Sequence, residues 1–190
     1  MNPRALPRLS AAMILTSLAF AAAGSAGEEE TGETVVIGPT TREQIETAVP
    51  EWVQAEVEAA PDAGVARELA AVESGAAVTV FVGTWCGDSR REVPRLWKAL
   101  ALAGGDVPFE VRYVGVDRAK KEPADAIAES EVLYLPTFIV HRDGRETGRI
   151  VETSPHGVER DLLDLLTGKA RGLLTTREDL TSEDAARPPR

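Results

Sequence analysis

One cysteine, Cys86, stands among residues able to tune a thiol: Trp85-Cys86-Gly87-Asp88-Ser89-Arg90-Arg91. The string lies between an apolar, β-branched run, Ala77 to Val82, and a segment where Val93, Leu96, Trp97 and Leu100 recur at helical spacing. A strand running directly into a helix puts Cys86 at the carboxyl end of the strand, where clefts and reactive groups of open α/β sheets gather. The first N–H groups of a helix lack intrahelical partners and carry partial positive charge, which stabilises an anion. A thiol in that setting ionises more readily than a free one. Asp88 opposes the effect through its own charge, whereas Arg90 and Arg91 favour it, so the expected gain is modest. Ser89 can donate a hydrogen bond to the resulting thiolate.

The elements that position this string follow from the patterning around it. Ala77–Val82 is apolar without alternation, which suits a strand buried on both faces. Gly104-Gly105 ends the helix after Cys86, a second strand spans Phe109 to Val116, and a helical stretch runs from Ala124 to about Val132. Strand, helix, strand in that order implies a parallel pair joined by a right-handed crossover. Thr137–Val140 and Gly148–Val151 flank Arg142-Asp143-Gly144-Arg145, and Asp-Gly between apolar runs predicts a hairpin. Val158, Leu162, Leu165 and Leu166 share one face of a closing helix.

Upstream, Thr41 with Gln44 reads as a capping box, opening a helix near Arg42 that reaches about Ala59, with Pro50 interrupting or kinking it. Pro61-Asp62 opens another helix through Leu69 and Val72, and Val35–Ile37 suggests a short strand. The expected organisation is a signal segment over 1–26, a partly helical extension over 27–76, the main domain over 77–168, and a loosely ordered tail over 169–190.

The 190 residues suffice for one domain with a real core. A formal net charge of −10 argues against nucleic acid or an anionic membrane as partner. Arg4 and Arg8, an apolar stretch from Ala11 to Ala23, and the small residues Gly24-Ser25-Ala26 read as a cleavable secretory signal. A retained span needs about 20 apolar residues, so no membrane span is expected in the mature chain. The periplasm is the first expectation for location, with other secretion the wider one. One cysteine forms no disulfide within the chain, so stability must come from the core.

Taken together, these residues resemble the thioredoxin family. Its pattern is a strand, Trp-Cys-x-x-Cys, a helix with proline eight residues after the first cysteine, and a cis-proline loop before a hairpin. Trp85-Cys86 matches the start, Pro94 stands eight residues after Cys86, and Leu135-Pro136-Thr137 matches the loop. The resemblance covers roughly Ala77 to Gly168. It implies a thioredoxin-like α/β fold, a central mixed sheet with flanking helices, here with an N-terminal helical extension. It also implies a cis bond before Pro136 and a loop facing Cys86, with Leu135, Pro136 and Thr137 contacting substrate.

Two departures bear on activity. Ser89 occupies the place of the second, resolving cysteine, and Val80 stands where the family often carries a buried acid that relays protons. The resemblance therefore implies thiol–disulfide exchange through Cys86 as a monothiol, by mixed-disulfide formation, isomerisation or deglutathionylation. Cys86 and Ser89 would carry it, with Trp85, Gly87, Asp88, Arg90, Arg91 and Pro94 in support. Partners would be protein or peptide thiols and disulfides, with a low-molecular-weight thiol as a further partner. No cofactor or metal is called for, since metal-binding relatives use two cysteines plus a histidine. Thr79 and Gly83 stand where a peroxidase needs a proline and a threonine. The alternative is a redox-inactive fold that binds proteins or peptides beside Pro136. His141, His156 and the run Arg118 to Glu122 read as surface loops, Trp97 as core, and Trp52 as a cover supplied by the N-terminal helix.

Overall fold

In a computed structural model, Met1 and residues 34–180 are described. The segment read as an export signal lies outside the described residues except for Met1. Among the described residues, no helix is long and apolar enough to cross a membrane.

The chain runs β1 (Gly38–Thr40), α1 (Arg42–Ala48), α2 (Glu51–Glu58), α3 (Ala63–Glu68), a 3-10 turn (Leu69–Ala71), β2 (Ala76–Val82) and α4 (Gly87–Leu102). It continues through β3 (Phe109–Gly115), α5 (Ala124–Glu129), β4 (Thr137–Arg142), β5 (Arg145–Val151), α6 (Val158–Leu166) and β6 (Gly172–Leu174). Six strands form one mixed sheet in the order β1-β3-β2-β4-β5-β6. β2 pairs parallel with β3 and antiparallel with β4, so its carboxyl end, which leads into Cys86, sits mid-sheet. The fold is the α/β arrangement expected, with a mixed sheet flanked by helices.

The N-terminal helices complete one side of the core. Thr41 accepts from the Gln44 N–H while the Gln44 side chain caps the Thr41 N–H, closing the capping box at the start of α1. Pro50 separates α1 from α2, and the single helix becomes two. Trp52 then packs on Trp97 of α4 with ring centroids 6.0 Å apart. The Trp97 indole N–H donates to the Tyr113 hydroxyl at 3.0 Å, and burial pushes the Tyr113 pKa up to about 12. Phe81, Ile139, Leu135, Val116 and Val132 form a smaller cluster on the opposite sheet face, packed against Ile127 of α5.

Three local expectations are corrected. The first strand occupies Gly38–Thr40 rather than Val35–Ile37, and Val36 packs so closely on Gly115 that a Cβ there would meet its carbonyl oxygen. The helix after Ala124 stops at Glu129, since Glu131 takes a positive φ of 50° and Val132 folds back to the Ile127 carbonyl. Residues 172–174, read as part of a tail, form β6 on the edge of β5. That pairing needs glycine at Gly148, because a Cβ there would meet the Gly172 carbonyl oxygen at 2.6 Å, while Gly172 takes a positive φ of 74°.

Candidate functional site

Cys86 is the N-cap of α4, with φ −94° and ψ 125°, so its own backbone is extended while the helix begins behind it. The thiol is half-buried and forms no disulfide. Its Sγ lies 3.4 Å from the Leu135 carbonyl oxygen, the acceptor of its hydrogen bond. The peptide bond from Leu135 to Pro136 is cis. The turn ending β2 and the loop before β4 therefore meet at the sulfur, bringing Cys86 beside Leu135 and Pro136. Pro136 and Thr137 are buried, and the Thr137 hydroxyl donates to the Tyr134 carbonyl at 2.7 Å. The loop thus turns a backbone carbonyl toward the thiol.

Gly83, which closes β2, makes that approach possible. A Cβ there would sit 2.9 Å from the Trp85 ring and 3.2 Å from both the Cys86 Cβ and a Leu135 methyl. Trp85 is half-buried, donates its indole N–H to the Val116 carbonyl at 2.9 Å and has the Arg118 guanidinium 5.7 Å from its ring centre. Thr84, buried behind the turn, donates to the Thr34 carbonyl at 2.8 Å. Sequence reasoning missed the roles of Gly83 and Thr84; the Gly-Thr pair between an apolar strand and Trp-Cys was the available signal.

Ser89 sits differently from the sequence expectation. It is 0% exposed, and its Oγ accepts from the Gly83 N–H at 3.2 Å rather than capping the thiol. The reason is local: Ser89 lies in the first turn of α4, whose inner side covers the end of β2, so the nearest unpaired donor is Gly83. Pro94 is buried within α4, and Gly87 is exposed at its start. Val80 is fully buried with no carboxylate in its place.

The charged residues around the helix start are engaged with one another. Arg91 donates to Asp88 at 2.7 Å, to Glu92 at 3.0 Å and, across the site, to the Thr153 hydroxyl at 2.6 Å. Its charge is shared among those partners instead of being directed at Cys86. Arg90 is exposed on the same turn. Burial pushes the Glu92 carboxyl above the ordinary glutamate range, against the pull of Arg91 and Arg95. His141, expected in a surface loop, lies inside β4 and is half-buried, and the exposed His156 ring pairs with the buried Asp161 at 2.8 Å. Neither histidine belongs to a group of three metal-ligating side chains among the described residues.

No protein-family model matches the chain. Thioredoxin of Staphylococcus aureus is 32% identical over 93 residues, covering 49% of this chain and 84% of that protein. Mitochondrial thioredoxin-3 of Saccharomyces cerevisiae is 33% identical over 85 residues, covering 45% of this chain. This chain spans only 61% of the length of that yeast relative. The crystal structure of Fasciola hepatica thioredoxin superposes with a TM-score of 0.35 at 27% identity, over 51% of this chain and 82% of the other.

Proposed function

We propose monothiol exchange chemistry at Cys86, from the premise that this chain belongs to the thioredoxin family, being 32% identical to a relative of which it covers 84%. The observation that carries the reading is the half-buried sulfur at the head of α4, 3.4 Å from the Leu135 carbonyl. The position that would hold a resolving thiol is a buried serine.

The steps balance without a cofactor. The Cys86 thiolate attacks one sulfur of a client disulfide, forming a Cys86–client bond and expelling the other client sulfur as a thiolate. The Ser89 hydroxyl cannot displace Cys86 from that adduct. A thiol of the client, or a small thiol such as glutathione, attacks the client sulfur and returns Cys86 as thiolate. The first route rearranges client disulfides with no net redox change. The second leaves a new disulfide between the small thiol and the client. The Leu135 carbonyl orients the sulfur, and Trp85 stands beside it in the turn. We further propose that the chain acts outside the cytoplasm after removal of residues 1–26, on protein or peptide disulfides.

Reactivation of scrambled ribonuclease in a glutathione buffer tests the reading. Wild-type protein should accelerate recovery, and Cys86→Ala should abolish the acceleration while keeping the same thermal midpoint within about 2 °C. Equal recovery with both proteins would favour a fold that binds peptides beside Pro136 and performs no exchange.

A further inference from the structure

Beyond α6 the chain returns along the sheet edge and comes back to the site. After β6, the Thr176 N–H donates to the Thr153 carbonyl at 3.2 Å. The next side chain, Arg177, reaches three groups at once. Its Nη1 lies 3.1 Å from the Glu152 carboxylate, its Nε donates to Asp179 at 3.0 Å, and its Cζ stands 4.1 Å from the Tyr134 ring centre. Asp179, two residues on, grips the guanidinium fork from the other side.

Tyr134 and Glu152 are the two residues that bracket the loop against the thiol. Tyr134 precedes Leu135, whose carbonyl meets Sγ, and the Glu152 N–H donates to the Pro136 carbonyl at 2.8 Å. Glu152 also carries a φ of +57°, a left-handed setting that a glutamate keeps only where its surroundings enforce it. Arg177 pairs with the carboxylate of that same residue. Nothing in the resemblance covers this segment, since it follows Gly168.

We propose that Arg177 is a positioning residue of the Cys86 site. From outside the cleft it holds the Leu135–Pro136 loop at its setting against the sulfur, and so controls how a disulfide approaches. The effect on client disulfides rests on the exchange reading above, whereas the setting of the thiol can be measured without it.

The test uses the full chain and 4,4′-dithiodipyridine, a small neutral disulfide. Cys86 attacks one sulfur, becomes a mixed disulfide, and releases one equivalent of thiopyridone that is read by absorbance. Arg177→Ala should raise the second-order rate about threefold or more, because a loosened loop no longer holds the Leu135 carbonyl against Sγ. Exchange of the Glu152 amide hydrogen should rise about tenfold in the same variant. Arg177→Lys keeps a cation but loses the fork, so both readouts should fall between; it also serves if Arg177→Ala does not fold. A lower thermal midpoint with wild-type thiol rate and wild-type Glu152 exchange would overturn the proposal and leave Arg177 a stabilising residue only. If wild type reacts with the small probe but gives no ribonuclease reactivation, the exchange reading falls, and the ratio of variant to wild-type rates still decides the role of Arg177.

Discussion

If Cys86 works as a monothiol, Ser89→Cys should convert persistent client adducts into transient ones. The substituted side chain is 0% exposed in the first turn of α4 and receives only the Gly83 N–H, so a sulfur replaces a single hydroxyl without displacing a network. The new thiol stands three residues after Cys86, the spacing at which the family places its resolving thiol. After Cys86 attacks an insulin disulfide, the new thiolate can attack Cys86 in the adduct, form an internal disulfide and release insulin as a dithiol. Dithiothreitol then returns the protein to its reduced form. Insulin reduction should rise at least about tenfold over wild type. The apolar Val80 puts no carboxylate at the position where the family often has its proton relay, so the variant should remain slower than a thioredoxin. A variant that oxidises internally yet does not reduce insulin would place the deficit in client binding.

Arg95→Leu should carry the largest stability cost of any single change described here. Arg95 grips Glu159 with two bonds, Nε to Oε2 at 2.8 Å and Nη2 to Oε1 at 2.7 Å, and the Asp62 N–H adds a third at 2.9 Å. Glu159 is only 1% exposed, so these bonds join the starts of α3 and α6 to the middle of α4 through one buried carboxylate. Removing the cation strands that charge, at about 3 kcal/mol or more. For a domain of this size the thermal midpoint should drop by on the order of 10 °C. Arg95→Leu combined with Glu159→Leu should recover much of the loss, because the stranded charge is then gone.

The pH dependence has a definite sign. Burial pushes the Glu159 carboxyl up, but the Arg95 fork and the Asp62 N–H together hold it below the ordinary glutamate range. Its stabilising contribution is therefore present above the unfolded value of about 4.3 and lost as pH falls through the lower folded value. Without Arg95 the desolvation dominates, and protonation of Glu159 relieves the variant. The gap in thermal midpoint between wild type and Arg95→Leu should narrow between neutral pH and pH 4.

Much of the frame was legible because it depends on neighbours in sequence. The unbroken apolar run into Trp85-Cys86, the helical spacing of Val93, Leu96 and Trp97, and the Asp143-Gly144 turn each determine local structure before any tertiary contact forms. The capping box at Thr41 is equally local. What escaped depends on residues far apart. β6 pairs with β5 because Gly148 lets the Gly172 backbone approach, which nothing in Gly172–Leu174 alone signals. The Ser89 hydroxyl turned to Gly83 because the turn exposes that N–H to the helix interior, whereas the linear string suggests the thiol as its partner. Arg91 is adjacent to acids that share its charge, but its third partner, Thr153, lies 62 residues away. The approach of Arg177 to Tyr134 is likewise invisible until the sheet brings the chain end back.

The most direct measurement is the fate of the adduct formed on wild-type protein by glutathione disulfide, followed by intact mass after rapid removal of the reagent. Monothiol exchange predicts one glutathione bound through Cys86 and absent in Cys86→Ala. The adduct should persist until reduced glutathione is added, because Ser89 cannot displace it, and then clear fully. A folded wild-type protein that acquires no adduct under conditions where a free cysteine peptide does, or an adduct that added thiol cannot remove, would contradict exchange at Cys86.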